Sequence, residues 1–165
     1  MSAESLAGRV VAGRYRLDRL LGAGGMGAVY EAEQLSLGRR VAVKVVKAER
    51  AGDDDVARRF TKEIEVVAGI THPNIVTVFD GGRADDGLLF LAMELLGGES
   101  LRARLDRAGP LPLSSVLAIV EDTASALVAA HGAGVLHRDL KPENLVLVPA
   151  AGQRERAKLL DFGIA

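Results

Sequence analysis

The chain of 165 residues carries no cysteine, which excludes a disulfide framework and thiolate metal sites and fits a reducing compartment. Its net charge of −1 gives no global basic field toward nucleic acid or acidic lipid. With 48% hydrophobic and 26% charged residues, it has the composition of a globular domain and not of a disordered chain.

Met1 to Arg14 show no cationic start followed by an apolar core, so no secretory signal is expected. No apolar run reads as long enough to span a bilayer. The best candidate, Val116 to Ala130, is broken by Glu121 and Asp122. Tyr15 to Leu21 alternates weakly and contains β-formers, which predicts a strand. Leu21-Gly22-Ala23-Gly24-Gly25-Met26-Gly27-Ala28-Val29 follows, and from Gly22 onward it fits G-x-G-x-x-G-x-V. That spacing alone serves a dinucleotide fold or a plain glycine-rich hairpin equally well.

The residues that follow discriminate. A dinucleotide fingerprint opens a helix and places an acid about 20 residues on. Here Ala28 to Ala32 continue without a helix cap, and Val41-Ala42-Val43-Lys44 stands where the acid should be. This run reads as another strand, with Val41, Val43 and Val45 on one face and Ala42, Lys44 and Val46 on the other. Two strands joined across a glycine turn can fold over phosphates, because glycines let backbone N–H groups approach an anion where a Cβ would clash. Lys44 then adds positive charge from the neighbouring strand.

Asp53, Asp54 and Asp55 precede an amphipathic run to Ile70, and acids suit a helix N-terminus. Val56, Phe60, Ile64 and Val67 form a stripe at helical spacing. Glu63 shares the edge of that stripe and is expected to pair with Lys44. His72-Pro73-Asn74 ends the helix, with His72 as a turn and packing residue. Ile75, Val76 and Val78 predict a strand, Gly81 to Gly87 a polar turn, and Leu88 to Leu95 a second apolar strand.

Gly97-Gly98 breaks the strand pattern after Leu96, and Ser100 to Ala108 reads as a short polar helix closed by Gly109-Pro110. Ser114 or Ser115 can cap the next helix. Leu117, Val120, Ala124 and Leu127 make one apolar stripe on it, and Val116, Ile119, Thr123 and Ala126 a second. A helix apolar on so much of its girth is expected to be central. Gly132-Ala133-Gly134 stops it, with His131 at its end. His137-Arg138-Asp139-Leu140-Lys141-Pro142-Glu143-Asn144 then brings imidazole, cations, carboxylate and amide into one loop. It lies between that helix and the strand Leu145 to Val148, the usual place for chemistry held by a scaffold. A turn from Pro149 to Arg156 and the strand residues Lys158-Leu159-Leu160 lead to Asp161-Phe162-Gly163.

Five motifs stand in one order: the glycine loop, V-A-V-K, the helix glutamate, H-R-D-L-K-P-E-N and D-F-G. In this the chain resembles eukaryotic-like protein kinases. The wording G-A-G-G-M-G-A-V-Y and D-F-G-I-A is most similar to their bacterial serine/threonine branch, over Tyr15 to Ala165. The resemblance implies an α+β, protein-kinase-like fold. Residues 1–14 would be an N-terminal extension. Residues 15–96 would be a β-rich N-lobe with one helix, and 97–165 an incomplete, mainly helical C-lobe.

It also implies roles. Lys44, held by Glu63, binds the α/β-phosphates of ATP beneath the loop Leu21 to Val29. Val29, Ala42 and Val146 sandwich adenine, with Met93 behind it and the Glu94 carbonyl and Leu96 N–H as its polar contacts. Asp139 orients the substrate hydroxyl and accepts its proton, Lys141 steadies the transferring group, and Asn144 and Asp161 hold Mg²⁺. Arg138 pairs with a phosphate on an activation loop. Val67, Val78, His137 and Phe162 form an internal stack, so His137 is a packing residue.

The implied partners are protein substrates, with no nucleic acid, no membrane contact from this segment, and a kinase–kinase dimer as a further option. The implied location is cytoplasmic, with membrane anchoring only through other segments. Family members continue after D-F-G with an activation loop, A-P-E and further helices. These 165 residues are therefore expected to be inactive alone, with Leu117, Val120, Leu127, Leu145 and Leu147 short of cover. The leading reading is a serine/threonine protein kinase. The alternative is an ATP-binding pseudokinase or regulatory module, and a small-molecule phosphotransferase comes third.

Overall fold

The computed structural model describes residues 6–24, 27–46, 54–150, 152 and 154–162. They form two compact units: Val78–Leu95 join the chain up to Ala68 in the first, and Gly69–Thr77 join the chain from Leu96 in the second.

Among the described residues, the first unit holds strands β1 (Val10–Val11), β2 (Tyr15–Gly24), β3 (Gly27–Gln34), β4 (Arg39–Val46), β5 (Val78–Arg83) and β6 (Leu89–Glu94). They make one antiparallel sheet in the order β1-β2-β3-β4-β6-β5. β1 has no counterpart among the predicted elements, because two residues show no period. It draws residues before Tyr15 into the sheet by pairing Val11 with Tyr15. The expected alternation in β4 holds: Val41, Val43 and Val45 pack in one core cluster with Val11, Tyr15, Leu17, Tyr30 and Phe90. Ala42, Lys44 and Val46 therefore take the other face.

β2 carries register shifts at Leu17/Arg19 and Leu20/Gly22, bulges that sharpen the local twist just before the glycine turn. Gly27 opens β3 because nothing larger fits: a Cβ there would lie 2.0 Å from the Val45 carbonyl oxygen.

Tyr30 is fully buried in this core, and its hydroxyl has no hydrogen-bond partner among the described residues. Burial alone pushes the phenol pKa up. A buried hydroxyl without a partner costs about 1–3 kcal/mol. Tyr30→Phe is therefore expected to stabilise the fold by roughly 1 kcal/mol, read as a higher urea midpoint at constant slope. A lower midpoint would mean that the hydroxyl is satisfied.

Helix α1 (Asp54–Ala68) packs on β5 and buries Phe60, Ile64 and Val67, three of the four residues of the predicted stripe. Asp53, and the side chains of Asp54, Asp55, Val56 and Glu63, lie outside the described residues. Two sequence expectations need correction here. The polar turn does not begin at Gly81, since Gly81 and Gly82 belong to β5. Ile64 approaches so closely that a Cβ on Gly81 would meet its Cδ1 at 2.7 Å, so the glycine serves packing and not turning. The turn runs from Ala84 to Leu88, closed by the Ala84 N–H on the Leu88 carbonyl at 2.8 Å. The strand expected from Ile75 begins only at Val78, while Ile75 forms an isolated parallel bridge with Leu159 in the second unit.

The second unit holds β7 (Glu99–Ser100), α2 (Leu101–Ala108), α3 (Leu113–Gly132), a 3-10 turn at Pro142–Asn144, β8 (Leu145–Val148) and β9 (Arg156–Leu159). The strands are ordered β7-β8-β9. The Ser100 hydroxyl caps α2 by accepting from the Ala103 N–H at 3.1 Å. α3 begins earlier than the serines suggested. Pro112 is its N-cap, and Ser114 and Ser115 fall inside the first turn. Leu145 and Leu147 are also better covered than expected, at 7% and 3% exposure, because β8 is the middle strand.

α3 is not the enclosed helix its two stripes predicted. Its buried residues are Asp122, Ala126 and Ala130, a line that packs on β9. Leu117, Val120 and Val128 remain 60%, 57% and 73% exposed. Contrary to the sequence expectation, this 20-residue helix is long and apolar enough to cross a membrane. Its deepest polar side chain argues for the unit instead, because the Asp122 carboxylate bonds Arg154 and the Ala157 N–H.

Candidate active site

In the loop after α3, His137 is buried and holds two segments together. Its Nε2 donates to the Leu160 carbonyl at 2.7 Å, its Nδ1 accepts from the Asp139 N–H at 3.3 Å, and its ring lies 5.0 Å from that of Phe162. Both nitrogens and the ring face are thus engaged in packing, as the sequence reading expected. Arg138 takes φ 61, a left-handed conformation uncommon outside glycine. The next N–H, that of Asp139, also donates to the His137 carbonyl at 2.8 Å, so the loop doubles back at this point.

The loop presents the Asp139 carboxylate. Lys141 Nζ lies 2.6 Å from its Oδ2, and Asn144 Nδ2 donates to the same oxygen at 3.2 Å and to the Asp139 backbone carbonyl at 2.8 Å. The Lys141 hydrogen bond, supported by that of Asn144, holds the Asp139 carboxyl below its ordinary pKa. The same contact raises that of Lys141. The Asp139 side chain is 39% exposed, so an ionised, oriented acceptor faces solvent. Oriented acceptors of this kind serve to take a proton from a hydroxyl.

Asn144 closes the 3-10 turn that Pro142 opens, immediately before β8. Asp161 comes just after β9, and the two strands pair Leu145 with Leu159. Asn144 and Asp161 therefore leave the hairpin at the same end, where the Leu160 N–H donates to the Asn144 carbonyl at 2.8 Å. Asp161 adopts φ 51, a conformation Asp tolerates better than most residues. Val146 is half-buried in β8 opposite Lys158. Among the described residues, no group of three or more His, Asp and Glu converges as a self-sufficient metal site.

In the first unit, strand register assembles a second set of predicted residues. Lys44 lies opposite Val29 and Leu91, and Ala42 opposite Met93. Val29, Ala42, Lys44 and Met93 thus share one face of the sheet. Gly22 pairs with Val29, Ala23 with Ala28 and Gly24 with Gly27, so the last residues of β2 run alongside the start of β3. Leu21 is exposed, and Glu94 ends β6 opposite Val41. Leu96 falls in the second unit. Gly25, Met26 and Gly163 lie outside the described residues, and so does the side chain of Glu63 with its expected ion pair.

The sequence reading missed Asn74, Asp122 and Arg154. Asn74 is buried, donates to the Ala157 carbonyl at 3.0 Å and accepts from the Leu159 N–H at 2.8 Å. His72 supports it as a turn residue, with Nδ1 accepting from the Asn74 N–H at 3.1 Å and Nε2 3.2 Å from Ser125 Oγ. The available signal was an acid within an apolar helix, which requires a partner.

With this geometry established, comparison with known proteins gives a consistent result. A family model described as Protein kinase domain matches residues 15–165. Serine/threonine-protein kinase pkn3 of Myxococcus xanthus is 44% identical over 162 residues, covering 98% of this chain and 30% of that protein. Serine/threonine-protein kinase PknA of Mycobacterium tuberculosis is 44% identical, covering 96% of this chain and 37% of that protein. PknJ of the same organism is 46% identical, covering 100% of this chain and 28% of that protein. The chain thus spans about a third of the length of these relatives. The crystal structure of the Mycobacterium tuberculosis PknI kinase domain has a TM-score of 0.81 at 41% identity, covering 96% of this chain and 62% of that one. A double mutant of that domain reaches 0.87 at 40% identity.

Proposed function

This chain belongs to the protein kinase family and has its fold, and from that premise we propose that it serves a serine/threonine protein kinase, transferring the γ-phosphoryl group of ATP to protein hydroxyls. The observation that carries the reading is the Asp139 carboxylate, held by Lys141 and Asn144 and open to solvent. Asp139 accepts the proton of the attacking hydroxyl, and Lys141, 2.6 Å away, steadies the transferring group. Lys44, with Glu63, takes the α/β-phosphates, under the backbone of Leu21 to Val29. Val29, Ala42 and Met93 on one sheet face, with Glu94, Leu96 and Val146, take the adenine. In this reading residues 15–96 form the ATP-binding lobe, to whose sheet Val10 and Val11 of the N-terminal extension add an edge strand, and 97–165 begin the catalytic lobe.

Asn144 and Asp161 are the residues that would hold magnesium. The donor set fits, because Mg²⁺ commonly takes one or two protein oxygens and fills the rest of its octahedron with phosphate and water. Asn144 commits its amide nitrogen to Asp139, which leaves its oxygen as the end for a cation. The ion would neutralise charge developing on the phosphates. Proteins are the substrates, and the cytoplasm, where ATP is supplied, is the place of action. The 165 residues in isolation are expected not to phosphorylate proteins, because the apolar side of α3 is uncovered.

Lys141, two residues after Asp139, suits serine/threonine specificity. Phosphoamino-acid analysis after incubating the full-length protein with γ-radiolabelled ATP and a protein substrate is expected to yield phosphoserine and phosphothreonine. Mainly phosphotyrosine would reject the specificity. ATP binding without transfer would leave a pseudokinase.

A further inference from the structure

Asp122 sits mid-way along α3 with its side chain only 8% exposed. Arg154, in the turn between β8 and β9, meets it with both terminal nitrogens, each 2.9 Å from a carboxylate oxygen. The same carboxylate accepts from the Ala157 N–H at 2.8 Å. Burial pushes the Asp122 carboxyl up, but Arg154, the Ala157 N–H and Asn74 outweigh it and hold the pKa below its ordinary value. The contact is a forked, charge-assisted pair, the geometry that fixes orientation as well as proximity.

β9 is gripped from three directions. Asp122 holds the Ala157 N–H from α3, Asn74 holds the Ala157 carbonyl and the Leu159 N–H, and β8 pairs along the opposite edge. Asp161 follows two residues after Leu159, at φ 51. A non-glycine residue keeps such a conformation where its surroundings over-determine it. Between them, Leu160 donates to the Asn144 carbonyl and accepts from His137, so a shift of β9 would displace Asp161 relative to Asn144.

Resting on the kinase reading above, we propose that Asp122 and Arg154 are positioning residues: the pair fixes the register of β9 and, through it, holds Asp161 in place as a magnesium ligand. The pair touches neither ATP nor protein substrate, and acts only through the strand.

The test uses the full-length protein with Arg154→Met, Arg154→Lys and Asp122→Asn. It reads the Mg²⁺ midpoint, the KM for ATP, kcat, and hydrogen exchange of the Ala157, Leu159 and Leu160 amides without nucleotide. Arg154→Met is expected to raise the Mg²⁺ midpoint and KM about 3–10-fold, less than the 10–100-fold typical of groups bonded directly to a metal ligand. kcat should change less than about twofold, since the proton acceptor is untouched. The three amides should exchange faster. Arg154→Lys keeps the charge without the fork and should fall between; it carries the same comparison if Arg154→Met does not fold. A lower melting temperature or kcat with an unmoved Mg²⁺ midpoint would make the pair merely structural and overturn the inference alone. A wild type that transfers no phosphate would overturn the kinase reading, and the inference with it.

Discussion

Asp139→Asn is expected to lower kcat in the full-length protein by about 10²–10⁴-fold, the usual contribution of a positioned proton acceptor. The substitution is nearly isosteric. The new amide oxygen can still accept from Lys141 and Asn144, which now bond the carboxylate. The fold, the melting temperature and the KM for ATP should therefore stay close to wild type, and the loss should be confined to the chemical step. Single-turnover measurement on nucleotide-saturated enzyme checks this, and a variant retaining most of the wild-type rate would remove Asp139 from the reaction. The pH profile adds a second check. The folded pKa of Asp139 is depressed, with the Lys141 hydrogen bond as its largest cause. The carboxylate thus stays ionised down past the ordinary Asp value of about 3.9, and its protonation should reduce kcat/KM only as pH falls below that value. An acid limb near neutrality would have to come from another group.

The 165-residue polypeptide, expressed alone, is expected to associate and to bind apolar dyes. Leu101, Leu105, Leu111, Val116, Val120 and Leu140 line a groove of about 500 Å³ in the second unit. Val116 and Val120 are 40% and 57% exposed, one turn apart on α3. Burying a fully exposed side chain of this kind is worth about 1.5–3 kcal/mol and a half-exposed one roughly half of that, so self-contact is favoured. Uncovered apolar patches of several hundred Å² mark surfaces that associate. Val116→Glu with Val120→Lys places an i,i+4 pair on the same turn and should return the chain to monomer. Light scattering and dye fluorescence read the shift. A wild-type chain that is monomeric, dye-silent and slow to exchange across α3 would contradict the expectation.

Much of the candidate site's geometry was legible in the sequence because its residues lie in short, contiguous motifs. His137 to Asn144 form one loop, and their mutual contacts follow from their spacing. The alternation of Val41 to Val46 assigned the strand faces because a period of two leaves little choice. What escaped is what depends on residues far apart in the chain. Gly81 reads as a turn until Ile64 is seen to need its space. Asp122 reads as an interruption of an apolar helix until Arg154 and Ala157 arrive from another element. The apolar girth of α3 gave its affinity for cover but not what covers it, since periodicity records how a face is made and not where it is placed.

The segment Gly69–Thr77 belongs to the second unit although the first unit's strands β5 and β6 follow it in the chain. Asn74 and Ala157, which it joins to, are 83 residues apart. During synthesis, at about 5–20 residues per second, that separation is a delay of roughly 4–17 s. The first unit has its last strand, β6, well before then. Asn74, Ile75 and Val76 must wait that long for their Ala157 and Leu159 partners, and the two apolar side chains among them are 1% and 2% exposed in the finished fold. Any version cut after Leu95 makes the interval permanent. The short stretch from His72 to Val76 is thus a place for a ribosome-associated chaperone to hold, beside the exposed side of α3.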